Sequence, residues 1–382
     1  MGIPLAWLQL SRERVRLLVA VAGITFADVL MFVQLGFRDA LFDAAVAVQE
    51  RIQADLVLVS PLSEALFAMK KFPRRRLYQA QSLPEVASIN PMYVDLLVWR
   101  NPETGKTRSI LAMGFNPERS ILAIPEVEAN LDQIRKADVV LFDRNSRAEF
   151  GPVPQWFDQG KTVQTELNGR RVTVGGLFSL GASFSADGNV ITSDLNFLRM
   201  AAGRQPGEID VGLITLKPGA DLAAVQAKLQ AILPSDTQVL THEEFVDLER
   251  EYWANSTAIG FIFGLGVVMG FAVGTVIVYQ ILYTDVSDHL AEYATLKAMG
   301  YGDLYLLGVV FQEALILAVV GFIPGYLLST GMYVFTQQAT LLPIGMTLAR
   351  ASTVFGLTVL MCFISGAVAV RRLGAADPAD IF

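Results

Sequence analysis

A membrane bundle of four transmembrane helices, with a large α+β extracytoplasmic domain inserted between helices 1 and 2, is the fold class this sequence predicts. Three observations predict it. Of the 382 residues, 53% are hydrophobic and only 18% are charged, which is too apolar for an ordinary soluble chain. The excess is concentrated in four long apolar segments. Between the first two of them, residues 39–250 have the composition of an ordinary soluble domain.

A helix rises about 1.5 Å per residue, so a hydrocarbon layer of roughly 30 Å needs about 20 apolar residues. Residues 17–37, 254–283, 304–335 and 351–370 meet that requirement, and the middle two are long enough to tilt or to project beyond the bilayer. Arg12, Arg14 and Arg16 precede the first segment as they would a secretory signal. Its length, and the lack of a small-residue cleavage site after it, read instead as a retained anchor. Basic residues at 12–16, and Arg371 with Arg372 after the fourth span, place both ends in the cytoplasm. The loop at 284–303 then faces the same side, although it sets only Lys297 against Asp285, Asp288, Glu292 and Asp303.

These limits divide the chain into residues 1–16, a first span at 17–38, the outer domain at 39–250, and a stalk with the second span at 251–283. A cytoplasmic segment at 284–303, a third span at 304–335, an external loop at 336–350, a fourth span at 351–370 and a tail at 371–382 follow. The outer domain reads as two lobes. Residues 40–71 have a helical pattern, and residues 86–98 read as extended structure interrupted by Pro91. Short strands are expected at 139–142, 171–178 and 189–192, bounded by turns such as Asn168-Gly169 and Asp187-Gly188. A strand at 211–217, a helix at 221–233 and Val239-Leu240 suggest a β-α-β unit.

Composition also excludes functions. With two histidines, His242 and His289, and one cysteine, Cys362, the chain lacks material for a metal site, a disulfide or a conventional Ser/His/Asp arrangement, so no cofactor and no catalytic residue is assigned. A net charge of −7 without a basic tract argues against nucleic acid. Gly105-Lys106-Thr107 imitates the end of a phosphate-binding loop, but Arg100 stands where that motif needs glycine, which leaves a turn. Arg74, Arg75 and Arg76 form either a solvated face or a contact for lipid head groups or an acidic partner.

Within the spans, Asp28 and Glu313 each cost on the order of 2.5–3.5 kcal/mol at the bilayer centre. Two readings are open: a translocation or proton path, or a structural role in which they face a helix interface, pair with Gln34 or Gln312, or sit near the aqueous boundary. Gly266, Gly270 and Gly274 put small residues on one helix face, for packing or dimerisation. Pro324, flanked by Gly321 and Gly325, is expected to bend the third span. Residues 285–300 read as a short amphipathic helix closed by Gly300, with Val286, Leu290, Tyr293 and Leu296 on one stripe. Such a helix either docks a soluble partner or lies on membrane lipids.

The layout and several residues resemble the permeases of the MacB and FtsX superfamily of ABC systems. Residues 10–24, with Arg16, Gly23 and Ile24, resemble that family's cytoplasmic elbow helix and first span. Glu292, Leu296, Lys297, Ala298 and Gly300 resemble its coupling-helix pattern, in which an acidic residue precedes a Leu/Ile-Arg/Lys-Ala-x-Gly sequence. Residues 4–10, 26–32 and 34–39 are most similar to cyanobacterial DevC-type permeases. The segment departs from MacB relatives in carrying Asp285 and Asp288 where an arginine-rich lead is common.

The resemblance implies a homodimeric, non-catalytic permease in the bacterial inner membrane, bound to a separate ABC ATPase subunit through Asp288, Glu292, Tyr293, Leu296, Lys297 and Gly300. It further implies export of envelope material, with glycolipid as one candidate, through a membrane-fusion adaptor and a TolC-like outer-membrane channel. An FtsX-like regulator or receptor controlling an envelope hydrolase is the alternative.

Overall fold

The computed structural model describes residues 14–183, 186–201, 203–292, 295, 299–340 and 342–370. In chain order, α1 (Arg14–Ala45) is followed by β1 (Leu56–Val59), β2 (Phe72–Pro73), α2 (Arg75–Gln81), β3 (Val86–Arg100) and β4 (Thr107–Phe115). Next come α3 (Pro125–Glu128), α4 (Leu131–Ile134), β5 (Val139–Asp143), α5 (Val153–Asp158), β6 (Gln164–Leu167) and β7 (Arg170–Phe178). β8 (Asn189–Ser193), α6 (Asp194–Met200), β9 (Glu208–Ile209), β10 (Val211–Leu216), α7 (Leu222–Ile232), β11 (Gln238–Thr241) and α8 (His242–Asn255) complete the inserted domain. Three long helices close the described chain: α9 (Ala258–Asp288), α10 (Asp303–Thr340) and α11 (Leu348–Val370). The inserted domain and the helical unit are separate compact bodies.

The inserted domain is built on one nine-stranded sheet in the order β11-β1-β10-β3-β4-β8-β5-β7-β6. Side chains alternate across a strand. Accordingly Leu56 and Leu58 join one apolar cluster and Val57 and Val59 the other, so β1 is buried on both faces. The same division sends Ile110 and Ala112 to one side and Leu111, Met113 and Phe115 to the other. The inserted domain thus has two apolar cores, one on each face of this sheet. Strand β3 runs without interruption through Pro91, which pairs with Gly212 of β10.

The helix expected over residues 40–71 holds only as far as Ala45. β1 was missed because four consecutive aliphatic residues hide the period of two when both faces are buried. The β-α-β unit does form, in split form: β10 and β11 both run antiparallel to β1, which lies between them. Asn168 and Gly169, both at positive φ, make the tight β6–β7 turn. Gly105 sits at φ +71 in the β3–β4 turn, where Asn101 Oδ1 accepts from the N–H groups of Glu103 and Thr104. The phosphate-loop imitation is thus a hairpin turn.

α8 starts with a capping box, in which Thr241 and Glu244 each accept the other's backbone N–H. On it, the buried Glu249 accepts from Gln49 Nε2 at 2.8 Å, Leu66 N at 2.6 Å and Trp253 Nε1 at 2.8 Å. The helix leading toward the second span is so tied to the segment that follows the first. Two residues, Ser256 and Thr257, separate α8 from α9.

In the helical unit, α1, α9, α10 and α11 are each long and apolar enough to cross a membrane. Small residues let them approach closely. A Cβ on Gly270 would lie 3.2 Å from Met31 Cγ, and one on Gly274 would lie 2.7 Å from Ala27 Cβ and well inside contact distance of Met361. Gly266 meets Gln34 in the same way. The glycine face of α9 is therefore occupied within the chain by α1 and α11. On α10, Gly321 and Gly325 seat Ile24 and Asp28 of α1, and the Thr25 hydroxyl donates to Gly321 O at 3.1 Å. α10 remains helical through Pro324.

Candidate functional site

Polar side chains in the helical unit collect at three levels. At one end of the bundle, Arg350, at the start of α11, donates through Nε and Nη2 to Asp39 Oδ2 at 3.2 and 2.9 Å, and its guanidinium lies over the Tyr333 ring. Neither Arg350 nor Asp39 figures among the expected site residues. The sequence signal was their placement just beyond apolar runs, where a charge needs a partner.

At the middle level, Asp28 is fully buried and its Oδ1 accepts from Thr358 Oγ1 at 2.6 Å, while Oδ2 has no hydrogen-bond partner. The expected partners are not used: Gln34 packs on Gly266, and a threonine of α11 takes the role. Gly325 opposite Asp28 is the condition for this packing, since a Cβ there would come within 2.8 Å of Asp28 Cβ.

The remaining level joins three helices. Arg16 of α1 donates to Asp285 Oδ1 at 3.3 Å and to Asp288 Oδ2 at 2.5 Å, both near the end of α9. His289 Nδ1 is 3.7 Å from the same Asp285 oxygen. Glu313 of α10 is fully buried, and nearby Val309 and Val310 of the same helix pack with Val286 of α9. Gln312, the neighbour in sequence, is not its partner among the described hydrogen bonds. The sequence marked Arg16 and Asp288 separately; their pairing joins residues far apart in the chain and leaves no local trace.

The segment expected as one helix over 285–300 is divided differently. Asp285 to Asp288 are the last turn of α9, because the apolar stripe through Leu282 and Val286 continues the packed face of that helix. A turn at His289 follows, and Glu292 lies in a short helical stretch beyond it, solvent-exposed, its N–H donating to His289 O at 3.0 Å. Gly300 adopts φ +94, the left-handed conformation expected of a helix-closing glycine. Tyr293, Leu296 and Lys297 lie outside the described residues.

The arginine trio of the inserted domain also separates. Arg76 forks onto Asp236, with contacts of 2.7 to 3.1 Å, and is largely buried, whereas Arg74 lies over the Tyr78 ring and Arg75 is exposed. One of the three is a structural ion pair. The guanidinium beside Asp236 holds that carboxyl below its usual range, and Arg170 does the same for Asp138.

Four membrane-length helices, with a large α/β domain inserted after the first, define an integral membrane protein. Family models place it further. Residues 17–232 match the MacB-like periplasmic core domain, and residues 256–378 match the FtsX-like permease C-terminal domain. The chain belongs to the MacB/FtsX-type permease family and is an ABC-transporter permease subunit. No curated protein matches it in sequence.

Similar solved structures include the periplasmic region of MacB from Actinobacillus actinomycetemcomitans. It is 13% identical with TM-score 0.36, over 54% of this chain and 95% of that one. The extracellular domain of the noncanonic ABC-type transporter YknZ from Gram-positive bacteria is 15% identical with TM-score 0.33, over 50% and 100%. At such scores the assignment stands on the two family models. The four apolar helices and the MacB-like domain fit an inner-membrane protein with a large periplasmic domain.

Proposed function

We propose that this permease couples ATP hydrolysis in a separate ABC ATPase to movement of its periplasmic domain, with both chain ends and the segment around Glu292 in the cytoplasm. Movement of the domain drives export of envelope material, glycolipid being the candidate cargo. The assembly comprises a homodimer of this chain, the ATPase, a membrane-fusion adaptor and a TolC-like outer-membrane channel in a tripartite arrangement. Cargo is handled by the periplasmic domain and need not pass between the spans.

One observation supports this reading above others. The second span is a single helix of 31 residues whose end carries the Arg16 contacts, and the exposed Glu292 follows within one turn. A push on residues 288–300 thus acts directly on a stiff helix, and α8, the last element of the periplasmic domain, ends two residues before that helix starts. Asp288, Glu292, Tyr293, Leu296, Lys297 and Gly300 form the ATPase-facing segment in this scheme.

Affinity purification from the native membrane, with associated proteins identified by mass spectrometry, tests it. The unaltered chain is expected to recover an ABC ATPase and an adaptor, and Glu292→Arg to lose the ATPase while retaining the adaptor. A folded chain that recovers no ATPase would overturn the scheme. Recovery of an ATPase with an envelope hydrolase in place of the adaptor would favour the regulatory alternative.

A further inference from the structure

Arg74 and Arg75 carry charges that neither the core of the inserted domain nor ATPase coupling uses. Of the trio at 74–76, Arg76 takes Asp236, whereas Arg74 and Arg75 enter no ion pair among the described residues. Arg74 is half-buried, its Nε has no hydrogen-bond partner, and its guanidinium carbon lies 5.7 Å from the centroid of the Tyr78 ring. Together with Pro73, Gly207 and Tyr78, which is 54% exposed, the two arginines line an open cavity of about 500 Å³. Glu208, the register partner of Pro73, is not part of that lining, so the cavity presents two cations and no carboxylate.

Both walls of the cavity are fixed by the fold. On one, Leu77 and Ala80 bury α2 in the core and Arg76 fastens it to Asp236 at 2.7 Å. On the other, Arg204 holds residues 203–207 in place. Its Nη1 donates to the two oxygens of Asp210 at 2.7 and 2.6 Å, and its Nη2 donates to Val94 O and to Asp95 Oδ2, both at 3.0 Å. The Arg74 N–H donates to Gly207 O at 2.8 Å and joins the two walls. A half-buried guanidinium without a counter-ion has lost hydration that nothing replaces, and an anion in the cavity restores it. Stacking on a ring leaves the N–H donors of an arginine in its plane, which suits the oxygens of a phosphate. Because the walls are already set, little ordering is required when the anion arrives. The volume lies within the range of roughly 300–1,000 Å³ common to small-molecule sites, whereas a protein partner needs about 800 Å² of surface on each side.

We propose that this cavity binds the phosphate group of a small molecule or a lipid head group, with Arg74 and Arg75 as its cationic partners and Tyr78 as the flat wall beside it. Arg74 is the preset partner within the cavity, and Arg75, at the exposed rim, adds the second charge. The site belongs to the inserted domain alone, so it stands or falls apart from ATPase coupling.

Calorimetric titration of the purified full chain in phosphatidylcholine nanodiscs, with the heats of empty discs subtracted, tests the site. Inorganic phosphate and dihexanoyl phosphatidic acid are the probes. Binding is expected, and Arg74→Gln combined with Arg75→Gln should weaken it by about tenfold for each charge-assisted hydrogen bond lost. Arg171→Gln, at an exposed position of β7, should leave it unchanged. Arg75→Glu alone, a charge reversal at an exposed position, should weaken binding in the same direction and serves should the double variant not fold. A lead of about tenfold or more for phosphatidic acid assigns the phosphate to a lipid head group, and a smaller lead or none assigns it to a soluble phosphate compound. Absence of binding by both probes, affinities in the Arg74 and Arg75 variants within about twofold of the unaltered chain, or an equal loss in Arg171→Gln would each overturn the proposal. So would a hexaglutamate peptide that binds more tightly than both probes through the same arginines, since it would make this surface a docking site for an acidic protein segment.

Discussion

Truncating Glu249 to alanine tests whether the tie between α8 and the segment after α1 holds the periplasmic domain together. Glu249 is 1% exposed, and among the described residues its carboxylate accepts N–H groups from Gln49, Leu66 and Trp253. Alanine takes this shared acceptor away from all three. At the low end of about 1 kcal/mol for each stranded group, with about 1 kcal/mol for the cavity, the loss is about 4 kcal/mol. Glutamine keeps one acceptor but turns an amide N–H₂ toward a donor, so it costs about 2 kcal/mol.

Urea unfolding of the full chain in detergent, followed by tryptophan fluorescence, reads the difference. With a slope near 2 kcal/mol/M, alanine should lower the domain's midpoint by about 2 M and glutamine by about 1 M. A midpoint within about 0.3 M of the unaltered chain for the alanine variant would refute the assignment of Glu249 as the acceptor that organises this corner.

Two further outcomes follow from the geometry. Gly274→Leu should destabilise the helical unit by about 1–3 kcal/mol, because its side chain would be built into Ala27 and Met361, whereas Gly264→Leu, with open space around it, should be nearly neutral; heating in detergent before size-exclusion chromatography separates them. The carboxyls of Asp138 and Asp236 are held low by Arg170 and Arg76, so the stability they contribute is present above the ordinary aspartate value near about 4 and is lost as pH falls through their depressed values. Acid titration of the domain's thermal midpoint should fall below about pH 4 less steeply in a chain carrying both Asp138→Asn and Asp236→Asn.

The membrane spans were legible because insertion imposes a length and an apolarity that no soluble helix needs. Turns such as Asn168-Gly169 were legible because positive φ restricts the residue choice. The ends of elements were less so. Val286 and Leu290 continue one stripe from α9 into the next segment, and nothing in that pattern marks a helix end at Asp288. The glycines of α9 announced close packing, but a small-residue face does not name its partner; α1 and α11 occupy it here. Arg16 with Asp285, Asp28 with Thr358, and Asp39 with Arg350 were invisible as pairs, since each joins residues brought together only by the completed bundle. Sequence reasoning could find the charges that require partners, and only the fold supplies the partners.

The position of β1 in the sheet bears on how the chain is made. Both neighbours of Leu56–Val59 come late, β10 from Val211 and β11 from Gln238. The strand emerges early in synthesis but has no partner until nearly the whole domain has followed it, and its four aliphatic residues must wait without a ladder. Completion of the sheet therefore comes shortly before the second span leaves the ribosome. A delay in translocating residues 211–241 would expose an aggregation-prone strand on the far side of the membrane, which makes this stretch a vulnerable interval in the protein's biogenesis.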